Sequence, residues 1–322
     1  MRVTILDDYQ DCVRTLRAFT LLQGHEVTVL HEAFPDRQEL ARKLADAEAL
    51  VLIRERTRVD RELIDRLPRL RMISQIGKVA PHIDLQACSE RGITVCQGEG
   101  TGAATAELTW ALVLASRRHI VDEANRLRAG AWQGSLGQQL RGSQLGIWSY
   151  GRIGRQVAGY GKAFGMRVVV WGGAASRAAA VQDGFEVAAS RQAFFAESDV
   201  VSLHLRLGPD TRGAVTAADL LAMKPSALLV NTSRAELIAP GALVDALRAG
   251  RPGFAAVDVF EREPVLGATD PLLQLPNALC TPHLGYVERD NYERYFGIAF
   301  DNINAFAKGQ PRNVVAAQRT ES

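Results

Sequence analysis

Arg234, Glu263 and His283 each follow a short apolar run, in the segments NTSRAEL, DVFEREP and TPHLGY. Arginine offers a planar fork matched to a carboxylate. Histidine titrates near neutral pH, and a neighbouring carboxylate stabilises its imidazolium form. Together the three side chains could hold an acidic substrate and move a proton, a service usually worth about 10² to 10⁴ in rate. If the three runs are neighbouring parallel strands, their carboxyl ends converge, and ligands of open α/β sheets bind beyond those ends.

A second set of residues could hold a nucleotide. In LGIWSYGRIGRQVAGYGKAFGMRVVVW a strand enters a tight turn at Ser149, Gly151 and Gly154, a helix runs to about Phe164, and a second strand returns. Gly151 lets backbone approach a pyrophosphate and Gly154 lets helix and strand pack closely. The helix N-terminus attracts the anion. The first glycine of the usual pattern is replaced by Ser149, but the order of elements suits a dinucleotide-binding unit of about 30 residues. An acid is expected about 20 residues beyond the glycines to bind the ribose 2′-hydroxyl. Trp171, Gly172 and Gly173 stand there instead, with Ser176 and Arg177 close enough in sequence to bind a 2′-phosphate. The cofactor expectation is therefore NAD or NADP.

The elements that must position these residues are strands alternating with helical patterns, the mark of parallel sheets built from βαβ units. Apolar runs at 3–6, 27–30, 50–53, 72–76 and 93–96 predict a first doubly wound sheet. Runs at 145–148, 168–171, 200–203, 228–231, 255–259 and 279–281 predict a second, with six strands as a dinucleotide-binding domain requires. Between the two series, 103–115 is too continuously apolar for a surface helix and reads as buried. The segment 117–141 is polar and carries Trp132, as either an arm packing on a second subunit or a solvated connection. A last helix is predicted over 291–307, stopped by Gly309 and Pro311.

At 322 residues the chain suits two domains, and 47% hydrophobic with 23% charged residues is a globular balance. Lys and Arg exceed Asp and Glu by 38 to 36, so no nucleic-acid surface is expected. Cys12, Cys88, Cys96 and Cys280 lack metal-ligand spacing, which argues for reduced thiols and no metal site. No apolar run is long enough to cross a bilayer, and no signal peptide is visible at the start. A cytoplasmic protein is the expectation.

Across nearly all of its length the chain resembles the D-isomer-specific 2-hydroxyacid dehydrogenase family, which includes D-3-phosphoglycerate dehydrogenases and glyoxylate/hydroxypyruvate reductases. The resemblance is carried by GRIG with AFGM following, NTSRAEL, DVFEREP and TPHLGY. It implies an α/β chain of two doubly wound parallel-sheet domains, a flavodoxin-like substrate domain and a Rossmann cofactor domain. The substrate domain would be discontinuous, 1–102 with 290–322, around a cofactor domain over 103–289, with hinges near Gly102 and Arg289.

By the same resemblance Arg234 would bind the carboxylate and carbonyl of a 2-oxo acid. His283 would donate a proton to the carbonyl oxygen as hydride arrives, and Glu263 would hold His283 protonated. Asp258 would meet the nicotinamide carboxamide. Arg152 and Ile153 would sit at the pyrophosphate, and Leu205, Thr232 and Gly285 would line the cofactor cleft with His204 nearby, a satisfied buried histidine being the other reading of His204. Gly77 and Lys78 in QIGKVAPHID match the family's substrate loop, while Pro81 and His82 depart from it. Arg54, Lys78 and His82 could serve a phosphorylated acid such as 3-phosphohydroxypyruvate, or any small acid. The implied partners are a small 2-oxo or 2-hydroxy acid and a second copy of the chain, as a homodimer. A dinucleotide-sensing corepressor or scaffold is the alternative reading.

Overall fold

A computed structural model describes residues 1–315, so the end of the expected 290–322 segment lies outside the described residues. The chain divides into two compact units, Met1–Thr101 with Glu288–Ser322, and Gly102–Val287.

In the first unit, strands β1 (Arg2–Ile5), β2 (Glu26–Val29), β3 (Ala49–Ile53), β4 (Met72–Ile76) and β5 (Thr94–Gln97) form one parallel sheet in the order β2-β1-β3-β4-β5. That is the flavodoxin-like order. The runs ALVLI and MISQI are buried at every position, as expected where helices cover both faces of a sheet. Helices α1 (Arg37–Leu44), α2 (Arg61–Asp65) and α3 (Leu85–Glu90) each begin after an aspartate. Asp36, Asp60 and Asp84 accept hydrogen bonds from the amides of Gln38, Leu63 and Ala87, satisfying donors that a helix start leaves free.

The second unit opens with α4 (Ala103–Arg117) and α5 (Ile120–Arg128). Its α/β series runs through β6 (Gln144–Trp148), α6 (Arg152–Ala163), β7 (Arg167–Trp171), α7 (Ala174–Gln182), β8 (Glu186–Val187), α8 (Arg191–Glu197) and β9 (Val200–Leu203). It continues with α9 (Ala217–Ala222), β10 (Leu228–Asn231), α10 (Ala242–Arg248), β11 (Phe254–Val257) and β12 (Ala278–Cys280). The seven strands lie in the order β12-β11-β10-β9-β6-β7-β8, and every pair is parallel. Counted from β6, this is the Rossmann order with one strand added beyond β11, and it reverses between β6 and β9.

The sequence expectation of six strands needs correction. β8, the edge strand, has two residues, exposed Glu186 and half-buried Val187, too short to show any period. The segment 117–141 is also more ordered than a plain arm, because its first part is the helix α5, with no buried residue.

The predicted buried helix is α4, which sinks Ala106, Thr109, Trp110, Leu112 and Val113. At its carboxyl end Arg117, 5% exposed, donates to the Ser226 carbonyl at 2.8 Å, to the Asp199 carbonyl and to the Gln138 side chain. Burial lowers the pKa of this guanidinium. The last helix, α11 (Arg289–Ala307), returns to the first unit and packs Phe296, Phe300 and Ile303 into its core.

Candidate active site

The three segments singled out at the start end on neighbouring strands, since β10, β11 and β12 lie side by side. After β10, Asn231 folds the turn by accepting from the Ser233 amide at 3.0 Å and donating to the Arg234 carbonyl at 2.9 Å. Ser233 Oγ donates to the Leu203 carbonyl at 2.9 Å, tying this turn to the end of β9. Arg234 is half-buried, and its Nη1 donates to the Ser233 carbonyl at 2.7 Å.

Glu263 and His283 are in contact. Glu263 Oε1 accepts from the Phe260 amide at 2.9 Å, and Oε2 lies 2.6 Å from His283 Nδ1. A carboxylate can only accept, so Nδ1 carries the proton and Nε2 is the ring atom left for a substrate. His283 has φ +53, a left-handed conformation that persists only where the surroundings over-determine it.

Asp258 supplies much of that constraint. Fully buried, it accepts at Oδ1 from Thr281 Oγ1 at 2.6 Å and the Leu284 amide at 2.7 Å, and at Oδ2 from the Gly285 amide at 2.8 Å. Burial raises its pKa, against the lowering effect of those hydrogen bonds. The carboxylate assigned to the carboxamide by resemblance is thus also the brace of the His283 loop. Sequence reasoning missed two further residues at these loops, Thr105 and Thr109 on α4. Their hydroxyls reach the Gly285 carbonyl and the Thr232 hydroxyl, each at 2.7 Å.

The nucleotide-type turn is built as the glycine pattern requires, with one departure. Ser149 occupies the first glycine position at φ +78, and its amide donates to the Trp171 carbonyl at 2.8 Å. Gly151 caps α6 with nothing within 4 Å of where a Cβ would stand, so backbone can approach a ligand there. A Cβ on Gly154 would fall 2.3 Å from the Ser149 carbonyl. The first turn of α6 holds no acid and includes Arg152 and Ile153. This open cradle, with a helix dipole behind it, fits a pyrophosphate.

At the end of β7, Gly172 has φ +152 and Ser176 Oγ accepts from the Tyr150 amide. The Arg177 guanidinium lies 5.4 Å from the centre of the Trp171 ring. Asp183, the first acid to follow, is engaged by Tyr150 Oη at 2.9 Å and Arg155 at 3.2 Å. Leu205 packs against the core, and His204 Nε2 lies 2.9 Å from Ser202 Oγ. Loss of solvation lowers the His204 pKa to about 4.

Arg54, Gly77, Lys78 and His82 belong to the first unit. Arg54, at φ +56 after β3, lies across Gly77, where a Cβ would fall 2.0 Å from its Nη1. Lys78 is exposed, and His82 Nε2 lies 3.3 Å from Gln75 Oε1. Nearby types suggest a metal group as well, since Asp8, Asp11 and His31 bring ligand atoms within 4.8 Å of one another. However, Asp8 accepts from the Cys12 and Val13 amides at 3.2 and 3.0 Å, as the cap of its own turn. Among the described residues no helix is long and apolar enough to cross a membrane.

Residues 110–285 match the family described as D-isomer specific 2-hydroxyacid dehydrogenase, NAD binding domain. A glyoxylate reductase of Aeropyrum pernix is 38% identical, over 87% of this chain and 86% of its own. A D-3-phosphoglycerate dehydrogenase of Methanocaldococcus jannaschii is 34% identical over 87% of this chain but 53% of its own length. A crystal structure of a phosphoglycerate oxidoreductase from Vibrio cholerae is 52% identical, with a TM-score of 0.94, covering 96% of this chain and 99% of the other. The paired Glu263 and His283, the pyrophosphate cradle, the two parallel sheets and these likenesses agree: the chain belongs to the D-isomer specific 2-hydroxyacid dehydrogenase family.

Proposed function

We propose that this protein moves a hydride between a nicotinamide cofactor and a small D-2-hydroxy acid, with glyoxylate, hydroxypyruvate or 3-phosphohydroxypyruvate as the 2-oxo form. The observation that carries this reading is the 2.6 Å contact of Glu263 Oε2 with His283 Nδ1. It fixes which ring nitrogen is free and keeps a negative charge behind it, the arrangement a proton donor to a carbonyl oxygen needs. Nicotinamide, when bound, supplies the hydride for reduction or takes it back. Arg234 binds the substrate carboxylate through its planar fork. His283 gives its Nε2 proton to the oxygen that becomes the hydroxyl, and Glu263 stabilises the cation before that transfer. In oxidation the same nitrogen accepts the proton.

Residues of the α6 cradle, Ser149, Gly151, Arg152, Ile153 and Gly154, hold the pyrophosphate, and Thr232, His204, Leu205, Asp258 and Gly285 line the rest of the cofactor site. No acid is free at the end of β7 to repel a 2′-phosphate, and Arg177 stands over Trp171 at that point. NADP(H) is therefore used beside NAD(H). In the first unit, taken by itself, Arg54, Gly77, Lys78 and His82 suit an acidic group, that of a phosphorylated acid or of any small acid.

The test is steady-state reduction of a panel of 2-oxo acids with NADH and with NADPH. We expect turnover of at least one acid of the panel with both cofactors. Tight cofactor binding with no reduction of any acid would overturn the enzyme reading in favour of a dinucleotide sensor. A preference of several hundredfold for NADH would overturn the cofactor reading alone.

A further inference from the structure

The helix α4 carries Thr105 and Thr109 one turn apart, and their hydroxyls form a directed chain. Thr109 Oγ1 donates to the Thr105 carbonyl at 2.7 Å and lies 2.7 Å from Thr232 Oγ1. A hydroxyl has a single proton to give, so Thr232 is the donor in the second contact. Thr105 Oγ1 in turn donates to the Gly285 carbonyl at 2.7 Å. One helix thus grips the backbone that follows His283 and the side chain that precedes Arg234.

The grip is firm for two reasons. Thr109 is fully buried and Thr232 is 7% exposed, so water does not compete for these bonds, and an unmade bond there is expensive. At the far end of α4, Arg117 is tied to the Ser226 and Asp199 carbonyls. A helix of 15 residues, about 22 Å at the usual rise, is therefore fastened at both ends. The left-handed backbone of His283 needs such a surround, and Asp258 holds it from the sheet side while Thr105 holds it from the helix side.

We propose that Thr105 and Thr109 are positioning residues for the reaction: the α4 hydroxyl chain sets the placement of the Arg234 turn and the His283 loop relative to one another, so that substrate carboxylate and carbonyl oxygen are met together. The proposal rests on the roles given to Arg234 and His283 above. It also makes Thr232 an acceptor toward the cofactor, because its proton is spent on Thr109.

Thr105→Val and Thr109→Val keep side-chain shape and remove the hydroxyl. The measurements are kcat and KM for the best 2-oxo acid, NADH affinity by fluorescence, and thermal melting, each for the valine and serine variants and for Thr105→Val combined with His283→Ala. A misplacement of about 1 Å can cost on the order of 10² in rate, and we expect kcat to fall at least about 10-fold, with NADH affinity falling several times less than kcat. The serine variants restore turnover. Because residues acting through one another are non-additive, Thr105→Val should cost less than about twofold once His283 is already alanine.

Valine variants within about twofold of wild-type kcat, or the same loss in both His283 backgrounds, would overturn the proposal. Should Thr109→Val fail to fold, Thr105→Val and Thr105→Ser at the half-buried position carry the same comparison. Wild-type turnover by His283→Ala is a separate outcome, which removes the catalytic reading and this proposal with it.

Discussion

Glu263 is held on one side by the Phe260 amide and on the other by His283 Nδ1, so its carboxylate has little freedom to leave the imidazole. We expect His283→Ala to lower kcat by about 10² to 10⁴. Glu263→Gln, which keeps a hydrogen-bond acceptor but removes the charge, should cost about 10-fold or more yet less than losing the histidine. Stopped-flow hydride transfer measures both, and wild-type kcat in the histidine variant would refute the assignment. His204 makes a different prediction. Its folded pKa of about 4 lies below the usual 6.5, so the unfolded chain takes up a proton first as pH falls. Stability from this group is whole above about 6.5 and is lost on going from 6.5 toward 4, by an amount on the order of 2–3 kcal/mol. Urea unfolding over that range should show the slope, and His204→Gln should flatten it. An unchanged slope would mean that other groups govern the acid side.

The turn between β6 and α6 shows an element bent around a residue that suits it poorly. Ser149 at φ +78 holds a conformation that costs a non-glycine residue about 1–3 kcal/mol. Ser149→Gly relieves this strain while adding chain entropy to the unfolded state, and we expect a net gain of up to about 1 kcal/mol in thermal unfolding. A lower Tm would show that the serine side chain contributes more than the strain takes away. Gly154→Ala acts in the opposite direction. Its Cβ would fall 2.3 Å from the Ser149 carbonyl, so the helix start must move away from the strand. NADH affinity should drop at least about 10-fold, because the amides proposed to face the pyrophosphate move with it; fluorescence titration gives the answer.

At the scale of the whole molecule, five exposed large apolar side chains among the described residues fall within 120–136, including the two most exposed, Leu136 and Trp132. Leu127 is 59% exposed, Trp132 74% and Leu136 94%, with Ile120 and Val121 also open on α5. Exposed apolar side chains that join into one patch mark an interaction site. We expect a second copy to cover it. Light scattering on a sizing column should give a dimer, and Trp132→Ser with Leu136→Ser should shift it toward monomer while the melting of the rest of the fold persists. A monomeric wild-type protein at micromolar concentration would rule this out.

What could be read from the residues alone was whatever repeats or contacts locally. Eleven strands showed themselves as apolar runs, the inner ones most clearly, because a strand buried on both faces must be apolar throughout. Asp36, Asp60 and Asp84 bond within their own turns, so the starts of α1, α2 and α3 are local features too, although sequence reasoning did not single them out. Arg234, Glu263 and His283 were legible for the same reason, as polar residues at the ends of such runs. Tertiary structure decided the rest. β8 has two residues and no period, and exists only because β7 offers it an edge. Thr105 and Thr109 read as ordinary helix residues, since their partners Gly285 and Thr232 stand 180 and 123 positions away in sequence. Asp258 likewise gains its part in holding His283 only when β11 and β12 lie side by side. A hydrogen bond between distant segments leaves no trace in the spacing of either, so the residue types of the candidate site belong to the sequence and their mutual placement to the fold.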